Sequence, residues 1–197
     1  PASAAASHTR LSATTVAQSL TLTQRVSMAR DETESFQLTI VSPVDTNATV
    51  TLSGGTPGVL MHYWQVGHHW VPAIKPNPQG GPGWWPDVLL DRRTPHLLAG
   101  VAQPIWIDVT TLPSVAPGDY SSLSVAVQIG PNAVVSVRIS LRVFGFTLRR
   151  PLALHNQFFL NSAKLAKVYG GGPHSPMVQK WRRELMHSFR VNPYASG

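Results

Sequence analysis

The stretch from residue 118 to residue 146 has the pattern that most constrains the fold. Apolar residues alternate there with small or polar ones in two runs, which meet at residues 131–132 (PN). The alternating apolar positions are Leu123, Val125, Val127 and Ile129 in the first run, and Val135, Val137, Ile139, Leu141 and Val143 in the second. Because side chains along a β-strand point alternately to opposite faces, each run predicts a strand with one buried face. Together the two runs predict a β-hairpin.

The rest of the chain up to residue 150 contains further short apolar segments separated by turn residues. Further candidate strands are residues 13–22, 25–28, 34–42, 48–53, 59–66 and 103–109. Many short strands at this spacing are typical of a β-sandwich. The sequence therefore predicts a mainly β protein, with a flexible leader at residues 1–11 and an antiparallel two-sheet β-sandwich over residues 12–150. Trp106 and Tyr120 are expected in its core.

The regular pattern stops between residues 66 and 103. Five prolines and three glycines fall between residues 72 and 86, and they predict an extended, irregular loop that is held by its aromatic side chains. Trp84 and Trp85 in this loop are candidate substrate contacts, because aromatic faces pack against sugar rings. The alternative is that they only fix the loop onto the sandwich.

The character of the chain changes again after residue 150. An apolar run at residues 152–160 predicts a strand, and residues 161–175 predict a Gly-rich loop. Ser175 and Pro176 suit the N-cap and first position of a helix that ends at residues 191–193 (VNP). One such β/α unit cannot bury both of its faces alone. Residues 151–197 are therefore predicted to be the first strand, loop and helix of a truncated barrel.

Charge is distributed unevenly along the chain. The net charge is +7, yet the first 148 residues are balanced, whereas residues 149–197 carry eight basic side chains and one acid, Glu184. This gives a neutral body and a basic end. Nucleic-acid binding is not expected, because no recognised nucleic-acid-binding motif accompanies the basic residues. No apolar run approaches the length of a membrane span.

Histidines near the central tryptophans suggest a metal site, but their spacing argues against one. His62, His68 and His69 match no closed metal-site pattern, and adjacent His68 and His69 would point to opposite faces of a strand. The sequence predicts no metal site and no cofactor. Residues 47–49 (NAT) form a sequon, which makes Asn47 a candidate glycosylation site.

Three motifs occur in a fixed order: residues 30–37 (RDETESFQ), residues 83–87 (GWWPD) and residues 104–109 (PIWIDV). With residues 117–120 (PGDY), they resemble the N-terminal β-sandwich domain of the β-N-acetylgalactosaminidase-like glycoside hydrolase family. The likeness covers about residues 13–146. In that family a β/α barrel follows the sandwich and carries out hydrolysis. Residues 152–193 fit the first strand and helix of such a barrel.

The resemblance also implies where catalysis takes place. In that family an adjacent Asp-Glu pair on a later barrel strand acts with the N-acetyl group of the substrate. The only adjacent pair here, Asp31 and Glu32, lies in the sandwich motif, where hydrogen bonding at a strand end is the expected role. No catalytic residue is therefore predicted. Asn156, Gln157 and Asn161 would lie near the C-terminal end of the first barrel strand, where barrel active sites form, and are candidate substrate-binding residues.

The resemblance implies the N-terminal portion of a secreted glycoside hydrolase that acts on amino-sugar-containing glycans, with the fragment itself non-catalytic. The alternative is a secreted glycan-binding or structural assembly subunit without catalytic activity. Residues 1–7 (PASAAAS) are small, as after a removed secretory signal, and favour an extracellular location. The expected partners are a glycan in the full-length protein, and the remaining barrel or a partner subunit against residues 152–197.

Overall fold

The computed structural model describes residues 8–12, 20–72, 82–91, 94–131, 133–148, 158–172, 174–188 and 193–195. The chain divides into two compact units, Pro1–Thr147 and Leu148–Gly197.

The first unit is a β-sandwich, as the sequence predicted. Its strands are β1 (His8–Ser12), β2 (Leu20–Arg30), β3 (Thr33–Val41), β4 (Thr46–Ser53), β5 (Val59–Val71), β6 (Gly83–Leu90), β7 (His96–Leu97), β8 (Ala102–Thr111), β9 (Gly118–Ile129) and β10 (Ala133–Thr147). The first sheet has the order β1-β3-β8-β5-β6, and the second has the order β2-β10-β9-β4-β7. Strands β6 and β7 therefore each end a sheet.

The core lies between the two sheets and follows the alternation in the sequence. In β8, the side chains of Ile105, Ile107 and Val109 are fully buried, while the residues between them face outward. The predicted hairpin is confirmed as β9 and β10, which pair antiparallel with Ala133 opposite Ile129. Burial of these alternating apolar side chains is the main stabilising contribution to the sandwich.

The predicted antiparallel sandwich needs a correction, because two of its strand pairings are parallel. Strand β1 pairs with β3, and β2 pairs with β10, both in parallel. Parallel strands need a crossover connection, and here the chain from β1 to β3 passes through β2, which lies in the other sheet. Likewise β2 and β10 are joined through strands of both sheets and not by a hairpin. The predicted leader also ends too late, because residues 8–12 pair with the otherwise open edge of β3.

The turn between β2 and β3 forms a corner that connects the two sheets. Asp31 has a φ of 59°, a left-handed conformation that Asp tolerates better than most residues. Glu32 accepts a hydrogen bond from the Ala29 amide at 2.5 Å, and the Thr111 hydroxyl donates to the Ala29 carbonyl at 2.7 Å. The predicted hydrogen-bonding role of Glu32 at a strand end is confirmed.

The irregular loop predicted between residues 66 and 103 is wrong in its central part. Strand β5 continues to Val71, and β6 pairs antiparallel with it. Pro86 fits in β6 because this strand lies at a sheet edge, where a missing backbone donor costs little. The pairing register shifts between Gly67 and His68, which marks a β-bulge.

The two residues predicted to be in the core have different environments. Tyr120 packs against the core, and its hydroxyl donates to the Ala116 carbonyl at 2.6 Å. The prediction is wrong for Trp106, which lies on the outer face of the first sheet and is only half-buried. The alternation of β8 accounts for this, because fully buried Ile105 and Ile107 occupy the inward positions on either side of Trp106.

The second unit contains β11 (Phe158–Leu160), α1 (Ser162–Tyr169), α2 (Pro176–Ser188) and β12 (Pro193–Ala195). The predicted start of α2 is confirmed, whereas α1 occupies residues that were predicted to be loop. The side chain of Asn161 caps α1. The sequence interpretation did not recognise this cap, because the glycines that follow favoured a loop. Strands β11 and β12 pair in parallel. Among the described residues, no helix has the length and apolar character needed to cross a membrane.

Candidate functional site

The β5–β6 hairpin presents different aromatic residues on its two faces. Trp70 pairs with Trp84 across the strands, and His68 pairs with Pro86. The next position along, His69, pairs with Trp85. Because successive side chains alternate, Trp84, Trp70 and His68 share one face, and Trp85 lies on the other. The two neighbouring tryptophans of the GWWPD motif therefore face different surroundings.

Trp84 is a large apolar side chain left open to solvent. It is 67% exposed, and its ring meets that of Trp70 edge to face with centroids 5.8 Å apart. Trp70 is itself 51% exposed and Trp85 is 42% exposed. An edge-to-face contact holds the orientation of a ring and covers at most one of its two flat faces. Trp84 thus offers an oriented, accessible indole face.

Trp84 lies at the side of a cavity of about 530 Å³ between the edges of the two sheets. The cavity is lined by Gln65, His68, Trp84, His96, Leu98, Val101 and Gln103. These residues come from β5, β6, β7, β8 and the segment between β7 and β8. A mostly apolar cavity with a few polar groups, in the range of about 300–1,000 Å³, is typical of small-molecule sites.

Two buried glutamines form the polar part of the cavity wall. Gln103 Nε2 donates to the carbonyls of Val66 at 2.8 Å and Pro104 at 2.9 Å, which fixes the orientation of its amide. Its Oε1 accepts from Gln65 Nε2 at 3.2 Å, so the amide of Gln65 is fixed as well. Among the described residues, none donates a hydrogen bond to Gln65 Oε1, which is buried.

His96 contributes a ring whose neutral tautomer is selected by a neighbour. Its Nδ1 lies 3.0 Å from the side-chain oxygen of Asn47. An amide oxygen only accepts hydrogen bonds, so Nδ1 carries the proton and Nε2 is the acceptor of the neutral ring. Asn47, the candidate glycosylation residue, is exposed on β4 beside the edge strand β7, and its side chain directly supports a cavity residue.

A second polar cluster lies on the outer face of the first sheet. The carboxylate of Asp108 accepts hydrogen bonds from Trp106 Nε1 at 2.8 Å, Trp64 Nε1 at 2.8 Å and the Ser35 hydroxyl at 2.6 Å. Both of its oxygens are engaged by these three donors. This arrangement orients the two indole rings on neighbouring strands, and it uses Asp108 as a structural acceptor.

Two acids, Glu32 and Glu34, lie at the corner between the sheets. Burial raises the pKa of the Glu34 carboxyl above its ordinary value of 4.5, and the charge of nearby Glu32 raises this pKa further. Two carboxylates near each other can support acid–base chemistry. Here, however, Glu32 is engaged by the backbone of Ala29, and the pair lies where β2 turns into β3.

The remaining predicted site residues fall in the second unit or outside the described residues. Asn161 accepts a hydrogen bond from the Lys164 amide at 2.8 Å, which gives it a capping role at α1. Asn156 and Gln157 lie outside the described residues. Within the described part of the chain, no group of three or more His, Asp or Glu residues is placed to hold a metal ion.

Five of the cavity residues were missed by the sequence interpretation. They are Gln65, His96, Leu98, Val101 and Gln103. A usable signal did exist for the two glutamines, because each interrupts or begins an apolar strand segment where a buried polar group needs a reason. His96, Leu98 and Val101 carried no such signal, since their segment is brought to this edge by pairing with residues distant in sequence, in β4 and at Ser42.

No protein-family model and no curated protein sequence matches the chain. The fold, however, is similar to that of a family 123 glycoside hydrolase from Clostridium perfringens, with a TM-score of 0.64 and 13% sequence identity. The match covers 75% of this chain and 27% of that chain, whose structure was solved to describe glycolipid glycan hydrolysis. At this identity the likeness concerns the fold alone.

Other solved β-domains align less closely. The Proteus mirabilis ambient temperature fimbriae adhesin AtfE has a TM-score of 0.33 at 10% identity, over 66% of this chain and 100% of that chain. PbICP-C, solved in complex with falcipain-2, has a TM-score of 0.33 at 15% identity, over 70% of this chain and 98% of that chain. Similarity at this level carries no argument about function.

Proposed function

We propose that this chain is the N-terminal portion of a secreted glycoside hydrolase that acts on amino-sugar-containing glycans, and that the chain itself is non-catalytic. The observation that carries the proposal is the fold match to a glycoside hydrolase over 75% of this chain and only 27% of the other. The ordered motifs at residues 30–37, 83–87 and 104–109 point to the same family from the sequence.

Two carboxylates of the sandwich have structural roles, which supports a non-catalytic chain. Glu32 belongs to the only adjacent Asp-Glu pair in the sequence, and its carboxylate is bonded to the backbone at the corner between the sheets. Asp108 is bonded by three side chains. A general acid must instead reach the glycosidic oxygen with a free carboxyl group. In our proposal the catalytic acids belong to a barrel that follows this chain.

The second unit supports the idea that a barrel begins after the sandwich. Parallel strands β11 and β12 with helices between them are the connection from which β/α barrels are built. Asn156 and Gln157 lie outside the described residues, and they stay candidate substrate contacts from the sequence alone. Asn161 follows β11, and with its oxygen engaged by Lys164, its amide nitrogen is the group that can donate to a sugar hydroxyl.

The proposal is tested by comparing this chain with the longer natural protein. Both are assayed on aryl glycosides of N-acetylgalactosamine and N-acetylglucosamine, and the culture supernatant is assayed separately for secretion. We expect turnover only by the longer protein, unchanged by Glu32→Gln. Turnover by the isolated chain that Glu32→Gln abolishes, with folding intact, would contradict the proposal.

The second candidate function is a secreted glycan-binding or assembly subunit without catalytic activity. The observation that favours it is the oriented and exposed face of Trp84 beside a preformed cavity. An open reading frame that stops near residue 197, together with glycan binding and no hydrolysis, would support this candidate over the hydrolase.

A further inference from the structure

We propose that the cavity between β6 and β7 is a carbohydrate-binding site that takes one uncharged pyranose ring, stacked on Trp84. The site lies wholly within the sandwich unit. The inference therefore requires neither a barrel nor any hydrolytic activity. It rests on the second candidate function, glycan binding, and adds the site and the class of sugar.

Trp84 supplies a surface on which a sugar ring can stack. A pyranose has one face of axial C–H groups, which packs against an aromatic ring. Trp84 presents such a ring, 67% exposed and oriented by its edge contact with Trp70. Leu98 and Val101, both about half-exposed, supply further apolar wall in the same cavity. Large apolar side chains left exposed together around a concave surface commonly mark a binding site.

The cavity wall also contains a hydrogen-bond acceptor without a donor, Oε1 of Gln65. Gln65 is 7% exposed and lines the cavity, and its Oε1 has no donor among the described residues. Gln103 prevents the Gln65 amide from flipping to remove this deficit, because Gln103 is held by two backbone carbonyls. A buried acceptor without a donor costs free energy. A sugar hydroxyl can supply the missing donor when a neighbouring side chain moves and opens the buried Oε1 to the cavity.

The composition of the described cavity lining indicates which class of sugar can bind. The described residues around the cavity include no Lys, Arg, Asp or Glu. Its polar groups are amides and imidazoles, and Asn47 leaves Nε2 of His96 as an acceptor. Desolvating a carboxylate or phosphate in such a cavity is costly without a cation to pair with it. Hydroxyl groups, which both donate and accept, suit this lining, so neutral pyranoses are the expected ligands.

The experiment is a titration of the 197-residue chain with methyl glycosides of galactose, glucose, N-acetylgalactosamine and N-acetylglucosamine. Binding is followed by calorimetry and by tryptophan fluorescence. We expect saturable binding of at least one of these sugars and markedly weaker binding of glucuronic acid. Trp84→Ala should weaken binding about tenfold or more, since a stacked aromatic residue commonly contributes a large share of binding energy.

Trp85→Ala is the matched control, because Trp85 is the next residue of the same strand and lies on the opposite face. It should change the affinity less than about twofold, which is under 0.5 kcal/mol. Circular dichroism and the melting temperature verify that both variants fold. As a second variant, Gln65→Leu removes the unpaired acceptor and should weaken binding. It also takes the donor away from buried Gln103 Oε1, so the melting temperature should fall, and circular dichroism verifies that the variant still folds.

Three results would overturn the inference. The first is no saturable binding of any of the four sugars by the folded chain. The second is an equal loss of affinity in Trp84→Ala and Trp85→Ala, which would place the sugar elsewhere. The third is binding of an apolar dye in the cavity that none of the sugars displaces. A hydrolysis assay plays no part in these measurements, so failure here is distinguishable from failure of the proposed function.

Discussion

The centre of the sandwich and its β5–β6 edge are built by neighbouring strands, yet they use apolar residues in different ways. In the centre, Ile107 is fully buried between the two sheets. At the edge, Trp84 and Trp70 are more than half exposed, and Trp84 lines a cavity. The difference indicates that apolar side chains stabilise the fold in the centre, whereas at the edge they leave a surface available for binding.

The largest expected effect tests the central half of this comparison. Ile107→Ala should lower the free energy of unfolding by about 2–5 kcal/mol, because it leaves a cavity in a core strand. Leu60→Ala, at a 55% exposed position of the neighbouring strand, is the control and should cost less than about 1 kcal/mol. Urea unfolding measures both values. Equal losses in the two variants would remove the distinction between centre and surface.

The second largest effect is expected at the backbone turn that follows β4. Gly54 has a φ of 108°, and a Cβ there would clash with the backbone of Ser122 and Leu123. Gly54→Ala should destabilise the protein by about 2 kcal/mol or more. Gly55→Ala is a close control, since a Cβ there meets nothing within 4 Å. A melting temperature unchanged in Gly54→Ala would show that this turn readily rearranges.

A smaller effect is expected on the outer face of the first sheet. Asp108→Asn keeps the size of the side chain but replaces one carboxylate oxygen with an NH2 group. Indole nitrogens only donate, so one of Trp64 and Trp106 loses its acceptor. We expect a loss of about 1–2 kcal/mol in chemical denaturation. The control is Asp119→Asn at an exposed position, and a similar loss there would point to net charge as the cause.

The smallest effect concerns the pH dependence of stability. Burial, and then the charge of Glu32, raise the pKa of Glu34 above 4.5 in the folded protein. Between that value and the raised pKa, the folded state binds more protons at this group than the unfolded state. The contribution of Glu34 to stability therefore decreases as pH rises through this window and levels off above it. Glu34→Gln should flatten the dependence in melting experiments from pH 4 upward; an unchanged profile would contradict this.

The sequence pattern was sufficient to predict the regular parts of the fold. The β9–β10 hairpin was predicted because its apolar residues alternate over a long stretch and leave one register that buries them. The start of α2 was predicted from Ser175 and Pro176, whose capping preference is local. The parallel pairings of β1 and β2 were not predictable in this way, because strand direction depends on which distant strand is met.

The sequence by itself determined which strand faces are buried, where α2 begins, and that Trp84 and Trp85 form an unusual aromatic pair. Those features depend on alternation and capping, which act between residues close in the chain. Only the tertiary structure decided that the two tryptophans face opposite ways and that Trp84 shares a cavity with Gln65, His96 and Gln103. The cavity unites segments far apart in sequence, and their meeting depends on strand pairing and sheet packing, which no local pattern encodes.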